Sequence, residues 1–284
     1  MPPARPQLVT IGDNCLDVYL TKAALTVGGC ALNVAAHWRQ SGRPARYFGA
    51  VGDDAEAEIL LDAIAAAGLA PGDVERRSGQ TAVTLLREND GDRIFLLEDL
   101  GVGKDYMPPE RLYPTIAAAD WVHLGLNSNP DLVRRLVAER IAFSVDLSTA
   151  HDSLPLEGVP MVFASGPDDP SIAVAPIAAR LNRAGAREVV VTCGSRGAFL
   201  RDAAGTMVHA AAMPVAVVDT CGAGDSFIAG FLAGRAEHRP AREAMHEAAA
   251  AAAQTCLHVG AFPQTPRPVP DWLLEKYADI IGAA

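Results

Sequence analysis

Cysteine is scarce and irregularly spaced. Five residues (Cys15, Cys30, Cys193, Cys221, Cys256) are scattered over 284 positions, odd in number and without a C-x-x-C pair. With no H-E-x-x-H either, a disulfide framework and a zinc site are excluded, and the thiols read as small buried side chains. No G-x-S-x-G elbow gathers the scattered histidines into a hydrolase triad. Charged residues make up 20% of the chain, half of it is hydrophobic and the mean hydropathy is +0.14. That composition excludes a disordered, coiled-coil or fibrous chain. No apolar run approaches the roughly 20 residues of a membrane helix. Met1 to Gln7 leads into strand-like sequence without an apolar signal region, so the expectation is a soluble, cytoplasmic protein without a membrane partner. With 24 basic against 34 acidic residues, the formal charge is −10 and the pI near 5.1. There is no basic field to collect nucleic acid, and a polyanionic ligand must be held locally. A Walker G-x-x-x-x-G-K-[ST] is missing, and no G-x-G-x-x-G opens a helix after a strand, which excludes a P-loop NTPase and an ordinary dinucleotide dehydrogenase by motif.

What is present is a rhythm. The length is twice the usual single-domain size, so it allows two domains or one large α/β domain. Short apolar runs at Leu8 to Ile11, Tyr47 to Val51, Trp121 to Leu124, Ile141 to Val145, Met161 to Ala164 and Val189 to Thr192 read as strands buried on both faces. Helical stretches alternate with them at Leu32 to Gln40, Ala55 to Ala67, Pro130 to Glu139, Ser171 to Ala184, Ser226 to Ala236 and Ala241 to His258, and Gly42, Gly68 and Gly185 stand where helices stop. The pattern predicts a doubly wound α/β layer sandwich with a mostly parallel sheet. Three segments break it. Thr81 to Arg87 and Arg93 to Glu98 flank Asn89-Asp90-Gly91 as a hairpin of the kind that covers a site, and Asp17 to Val27 is a short extended piece. Ala198 to Arg201 and Met207 to Ala210 form a second hairpin expected at an antiparallel sheet edge. The run Ala248 to Ala253 reads as a close-packed helix.

The segment from Val215 to Phe231 is a strand, a glycine-rich turn (Gly222, Ala223, Gly224) and a helix. Such a turn leaves backbone N–H groups at the positive end of the helix, an anion site. Asp225 falls in the first helical turn, where a carboxylate either complements the dipole or does chemistry. The flanking glycines, which admit a ligand to the backbone, favour chemistry. A base beside a phosphate cradle is what phosphoryl transfer to a hydroxyl requires.

These residues resemble the ribokinase, or PfkB, family of carbohydrate kinases. Asp219-Thr220-Cys221-Gly222-Ala223-Gly224-Asp225 is similar to its D-T-x-G-A-G-D signature, Gly28-Gly29 with Asn33 to its G-G-x-x-x-N, Gly49 to Asp54 to its G-x-V-G-x-D, and Val191-Thr192 with Gly194 and Gly197 to its V-T-x-G-x-x-G loop. Within the family, Ile11 to Asp17, the short stretch before Gly28, and Phe163 to Ser165 are similar to kinases of fructosamines such as fructoselysine. The resemblance implies one ribokinase-like three-layer α/β/α domain over residues 1–284, with β lid segments at about 13–27 and 79–104. It implies an ATP-dependent sugar kinase acting on a primary hydroxyl, the 6-hydroxyl in a fructosamine. Ribose, a ketohexose, 2-keto-3-deoxygluconate and a nucleoside are the alternative acceptors, and a non-catalytic sugar binder is the alternative outside enzymes. It also implies Mg²⁺, a monovalent cation such as K⁺, and a homodimer through the lid.

Carried over by the same resemblance, Asp225 is the base and Gly222, Ala223 and Gly224 are the anion hole. Asp13, Asp17, Gly28, Gly29, Asn33 and the lid residue Arg93 face the sugar. Thr192, Gly194, Gly197, Asp219 and Thr220 serve the nucleotide phosphates, and Gly260 and Ala261 close around adenine. Structural alternatives stay open: Asp13 and Asp17 as turn acids, Asn33 as a helix cap, Gly28-Gly29 as a tight bend. The family's N-x-x-E is replaced by Ser165-Gly166-Pro167-Asp168, which leaves Asp168 as an indirect magnesium ligand. Asp146, at a strand's C-terminal end, lies where open α/β sheets place ligands. Asp13, Asp17 and Asp99 are the acids that would meet a substrate amine.

Overall fold

The computed structural model describes residues 6–89 and 92–283. In chain order it runs β1 (Leu8–Ile11), β2 (Cys15–Tyr19), β3 (Ala24–Gly28), α1 (Cys30–Gln40), β4 (Ala45–Val51), α2 (Ala55–Ala66), β5 (Val74–Arg76), β6 (Val83–Asn89), β7 (Asp92–Asp99), α3 (Tyr113–Ala117), β8 (Trp121–Leu124), α4 (Pro130–Ala138), β9 (Phe143–Asp146), β10 (Met161–Ser165), α5 (Ala175–Arg183), β11 (Glu188–Thr192), β12 (Ala198–Arg201), β13 (Met207–Ala210), α6 (Ala223–Ala236), α7 (Ala241–Thr255), β14 (Arg267–Pro268), α8 (Asp271–Lys276) and α9 (Ala278–Ala283).

Nine strands form one sheet in the order β13-β12-β11-β10-β9-β8-β1-β4-β5. All its pairings from β11 to β5 are parallel, and β12 and β13 add an antiparallel edge. The central strands are buried on both faces, as their mainly apolar sequences require. Helices α4 and α5 pack into one hydrophobic cluster, α6 and α7 into another, and α1 is shared: Val34 and Trp38 join the α6 side while Ala31, Leu32 and Ala35 join the cluster under α2. A second sheet, β14-β3-β2-β6-β7, is built almost wholly from the extended segments that interrupt the α/β rhythm. Among the described residues no helix is long and apolar enough to cross a membrane.

Local chemistry accounts for the element ends. Asn129 caps α4 by accepting from the Asp131 N–H, with Pro130 in the first turn. Gly42, Gly68 and Gly185 each follow a helix cap residue at positive φ, the conformation in which glycine carries no Cβ penalty. The run Ala248 to Ala253 lies in a helix packed at close range: a Cβ on Gly230 would come 3.0 Å from Ala248 Cα, and one on Gly234 would come 2.7 Å from Ala244 Cβ.

Several predicted bounds shift. The extended piece at Asp17 to Val27 is two antiparallel strands, β2 and β3. The helix predicted from Ser171 starts at Ala175, because Asp169 takes the Ser171 N–H in a turn and Pro176 suits only a first helical turn. Helix α6 begins three residues earlier than predicted, α7 ends at Thr255, and the strand expected from Ile141 runs from Phe143 to Asp146. The hairpin strands β6 and β7 pair antiparallel with a bulge between Leu85 and Leu86; the tip of the predicted turn, Asp90 and Gly91, lies outside the described residues. Helices α8 and α9 had no counterpart in the sequence reading. They seat Leu273 and Tyr277 in the core beneath the small sheet.

Candidate active site

The large sheet reverses its winding at β1, whose neighbours are β4 on one side and β8 on the other. The C-terminal ends of β1, β8 and β9 therefore open onto a crevice, the place where doubly wound sheets hold ligands. Asp13 follows β1 into it. Its carboxylate accepts from the first N–H groups of α1, at 2.6 Å from Cys30 N and 3.1 Å from Ala31 N. The residue that precedes this helix, Gly29, has no side chain to cap it, so Asp13 caps it from a distance. Gly29 stands at φ +107 with room for no Cβ, since one would lie 2.3 Å from Asn14 Cα. A Cβ on Gly28 would lie 2.3 Å from Asp17 Oδ2. Both glycines thus serve close approach, but to the protein's own Asn14 and Asp17.

Asp225 sits in the first turn of α6 and is buried. Asn33, one turn into α1, donates its amide to Asp225 Oδ2 at 2.7 Å, and Asn33 Oδ1 is left buried without a partner. Asn33 is therefore not a helix cap. Burial, then the charge of Asp146, push the Asp225 carboxyl up to about 8 against the pull of the Asn33 hydrogen bond, with a further push from Asp13. Burial and Asp13 likewise raise Asp146 to about 6, although its carboxylate accepts from Ser148 N. Ligand atoms of Cys30, Asp146 and Asp225 all lie within 4.8 Å of one another. The sequence reading set Asp146 where such sheets place ligands, and the fold brings it beside Asp225.

On the other side of the α6 N-terminus lies a cavity of about 610 Å³, within the range of small-molecule sites. Thr192, Gly194, Gly197, Thr220, Ala223 and Gly224 line it, as does Asp168. Asp168 Oδ1 accepts from the Ser195 N–H and hydroxyl, which holds the loop after β11. Gly224 is open: no atom stands within 4 Å of where its Cβ would be. Gly224 and Asp225, second and third in the helix, have N–H groups with no acceptor inside the helix. The Ala223 N–H turns back to Thr220 O at 3.3 Å, so it adds less to an anion hole than its neighbours. The sequence missed the apolar wall, made by Met213, Val215, Val217, by Ala249, Ala252 and Ala253 of α7, and by Cys256 just after it. The helical spacing of those four small residues was the available signal.

Three residues assigned to the nucleotide do not line this cavity. Asp219 is buried and accepts from Cys221 N, Gly260 N and the Tyr19 hydroxyl. Gly260 packs against Thr26, and Ala261 backs Gly222, where a Cβ would meet Ala261 O at 2.1 Å. His37, held neutral by burial with its pKa near 4, donates from Nε2 to that same Ala261 oxygen at 2.8 Å. These residues brace the glycine loop at 222–224 from behind. Asp99 accepts from Gly101 N and turns its own loop. Arg93 lies on β7 opposite Glu88, and its side chain is outside the described residues. Gly52 and Asp54 of the third motif serve the connection into β6: Asp54 caps α2 and also takes the Thr81 N–H and hydroxyl.

A model of the pfkB family of carbohydrate kinases matches residues 9–139 and 163–268. The chain is 35% identical over 261 residues to a fructoselysine 6-kinase of Shigella flexneri, covering 90% of this chain and 99% of that one. It is 30% identical over 264 residues to the fructosamine kinase FrlD of Bacillus subtilis (strain 168), covering 90% and 93%. Among solved structures, an Arabidopsis thaliana ribokinase complexed with ribose and ATP superposes with a TM-score of 0.79 at 22% identity, over 90% of this chain and 94% of that one. That likeness bears out the ribokinase-like three-layer fold.

Two predictions follow from the geometry. Asp225 binds its proton more tightly in the folded chain than in the unfolded one, so between about pH 4 and 8 stability falls as pH rises. Asp225→Asn is expected to raise the melting temperature of the ligand-free protein at pH 8, with the gain vanishing toward pH 4; a gain independent of pH would contradict this. Gly224→Val fills open space and is expected to keep the melting temperature within a few degrees while abolishing phosphoryl transfer. Gly222→Ala, at φ +71 against Ala261, is expected to destabilise outright. Comparing the two variants' denaturation midpoints with their turnover checks both.

Proposed function

The chain belongs to the pfkB family of carbohydrate kinases, and from that premise we propose that this ATP-dependent carbohydrate kinase phosphorylates the 6-hydroxyl of a fructosamine such as fructoselysine. The observation that carries the reading is the extent of the match: nine-tenths of the chain aligns with a fructoselysine 6-kinase and with a fructosamine kinase, each almost end to end. The site's charge supports it. Asp13, Asp17 and Asp146 accompany Asp225 on the sugar side, and carboxylates there suit a substrate that carries a protonated secondary amine as well as hydroxyls.

In this reading the sugar lies between Asp13, Asp17 and Asn33, with its hydroxyl against Asp225. Asp225 takes the hydroxyl proton as the oxygen bonds to the γ-phosphorus and the bond from that phosphorus to the departing ADP breaks, and a base whose pKa sits near neutrality is matched to that task. The N–H groups of Gly224 and Asp225, in the first turn of α6, meet the charge on the migrating group. The cavity beyond them suits a nucleotide, with small and apolar residues of α7 and Val215 to Val217 for the base and Thr192, Gly194 and Gly197 for phosphates. Bound there, ATP supplies the phosphoryl group and Mg²⁺ offsets the phosphate charge. Asp168, at the polar end, would hold the cation through its water shell. The small sheet would act as the lid that excludes water. Strand β7 exposes Ile94 and Phe95 at the sheet edge, which suits a homodimer through the lid.

ADP release measured across fructoselysine, fructose, ribose, 2-keto-3-deoxygluconate and nucleosides is expected to give the highest kcat/KM for fructoselysine. A tenfold preference for ribose or free fructose would remove the fructosamine assignment. The rate should rise with pH toward about 8 as Asp225 loses its proton, the opposite sense to the stability. Asp225→Asn should lower turnover by several orders of magnitude with sugar binding retained; near-normal turnover would rule out the base.

A further inference from the structure

Tyr19 closes β2 and is completely buried, yet it belongs to neither the sugar set nor the nucleotide cavity. Its hydroxyl donates to Asp219 Oδ2 at 2.7 Å. The same carboxylate accepts from Gly260 N at 3.0 Å on that oxygen and from Cys221 N at 2.9 Å on Oδ1. Cys221 is the peptide immediately before Gly222. One carboxylate therefore joins the small sheet, the loop behind Gly222 and the first peptide of the anion loop. Burial and the nearby charges of Asp17 and Asp219 hold the phenol well above its usual range, so it stays a donor.

Strand β2 lies at the middle of the small sheet, between β3 and β6, and cannot shift without them. Asp17 and Tyr19 are two residues apart and share one face of the strand. We infer that Tyr19 is a positioning residue for phosphoryl transfer: its bond to Asp219 makes the alignment of the anion loop depend on the seating of the strand whose Asp17 meets the sugar. A hydrogen bond of this length tolerates little displacement, so a strand drawn onto sugar carries the Asp219 carboxylate and the Cys221 peptide with it. An empty sugar site leaves the hole less well aligned, which protects the donor from transfer to water. The inference rests on the reading of Asp17 and of residues 222–224 given above.

Tyr19→Phe deletes a single oxygen inside a packed ring site. The expected result is a fall in kcat for the sugar of roughly tenfold or more, with the ATP KM within about twofold, because Tyr19 does not line that cavity. Hydrogen exchange gives the readout that a merely structural role would not move. Sugar should slow exchange at residues 219–226 in the unmodified protein, and this sugar-dependent protection should be lost in Tyr19→Phe. If the phenylalanine variant folds poorly, Asp219→Asn tests the other end of the bond. Unchanged kcat together with unchanged sugar-dependent protection overturns the inference, while an unmodified protein that phosphorylates no sugar overturns the proposed function instead.

Discussion

The hydrogen bond from Asn33 to Asp225 holds the candidate site together. A buried carboxylate is costly to ionise, and here burial is compounded by Asp146 and Asp13 on the same side. The Asn33 amide, 2.7 Å away, is the neutral donor that keeps the ionised form within reach near neutral pH. That contact exists only because α1 and α6 pack side by side, with Val34 and Trp38 of one and Phe227 and Phe231 of the other in a common core. The close fit of Gly230 and Gly234 on α7 in turn lets α6 and α7 form the cavity wall together. The core is thus what sets the position of Asp225.

The consequence is a trade between stability and activity. Burial first, and then repulsion among Asp13, Asp146 and Asp225, raises the proton affinity of Asp146 and Asp225. A site built for packing alone would place apolar groups here. In the proposed reaction the same environment is useful, since it gives Asp225 a proton affinity suited to a base acting near neutral pH.

The glycines fall into two groups that motif matching treats alike. Gly28, Gly29 and Gly222 let the chain approach itself, against Asp17, Asn14 and Ala261 respectively. Gly224 faces open space in the cavity and leaves room for something that is not protein. Behind Gly222 runs a brace of Asp219, Gly260, Ala261 and His37. Its job is to stiffen the loop on which Gly224 is carried.

The sequence by itself determined the alternation of buried strands and helices, the anion loop and the acid in the first turn of α6, because these follow from apolar periodicity, helix-end chemistry and glycine spacing. It also marked part of the cavity lining, through Thr192, Gly194, Gly197 and Thr220. Local sequence could not tell which polar residue faces which. Asp13 reads equally as a sugar ligand or a capping acid, and only the fold shows both of its oxygens on the N-terminus of α1. Asp219, Gly260 and Ala261 sit inside or beside motifs, yet tertiary packing turns them to the back of the loop. The pairing of Asp146 with Asp225, the tie from Tyr19 to Asp219 and the α7 wall join residues 79, 200 and some 30 positions apart. Contacts over such separations are set by strand order and helix packing, which no local pattern encodes, and so the tertiary structure alone decided them.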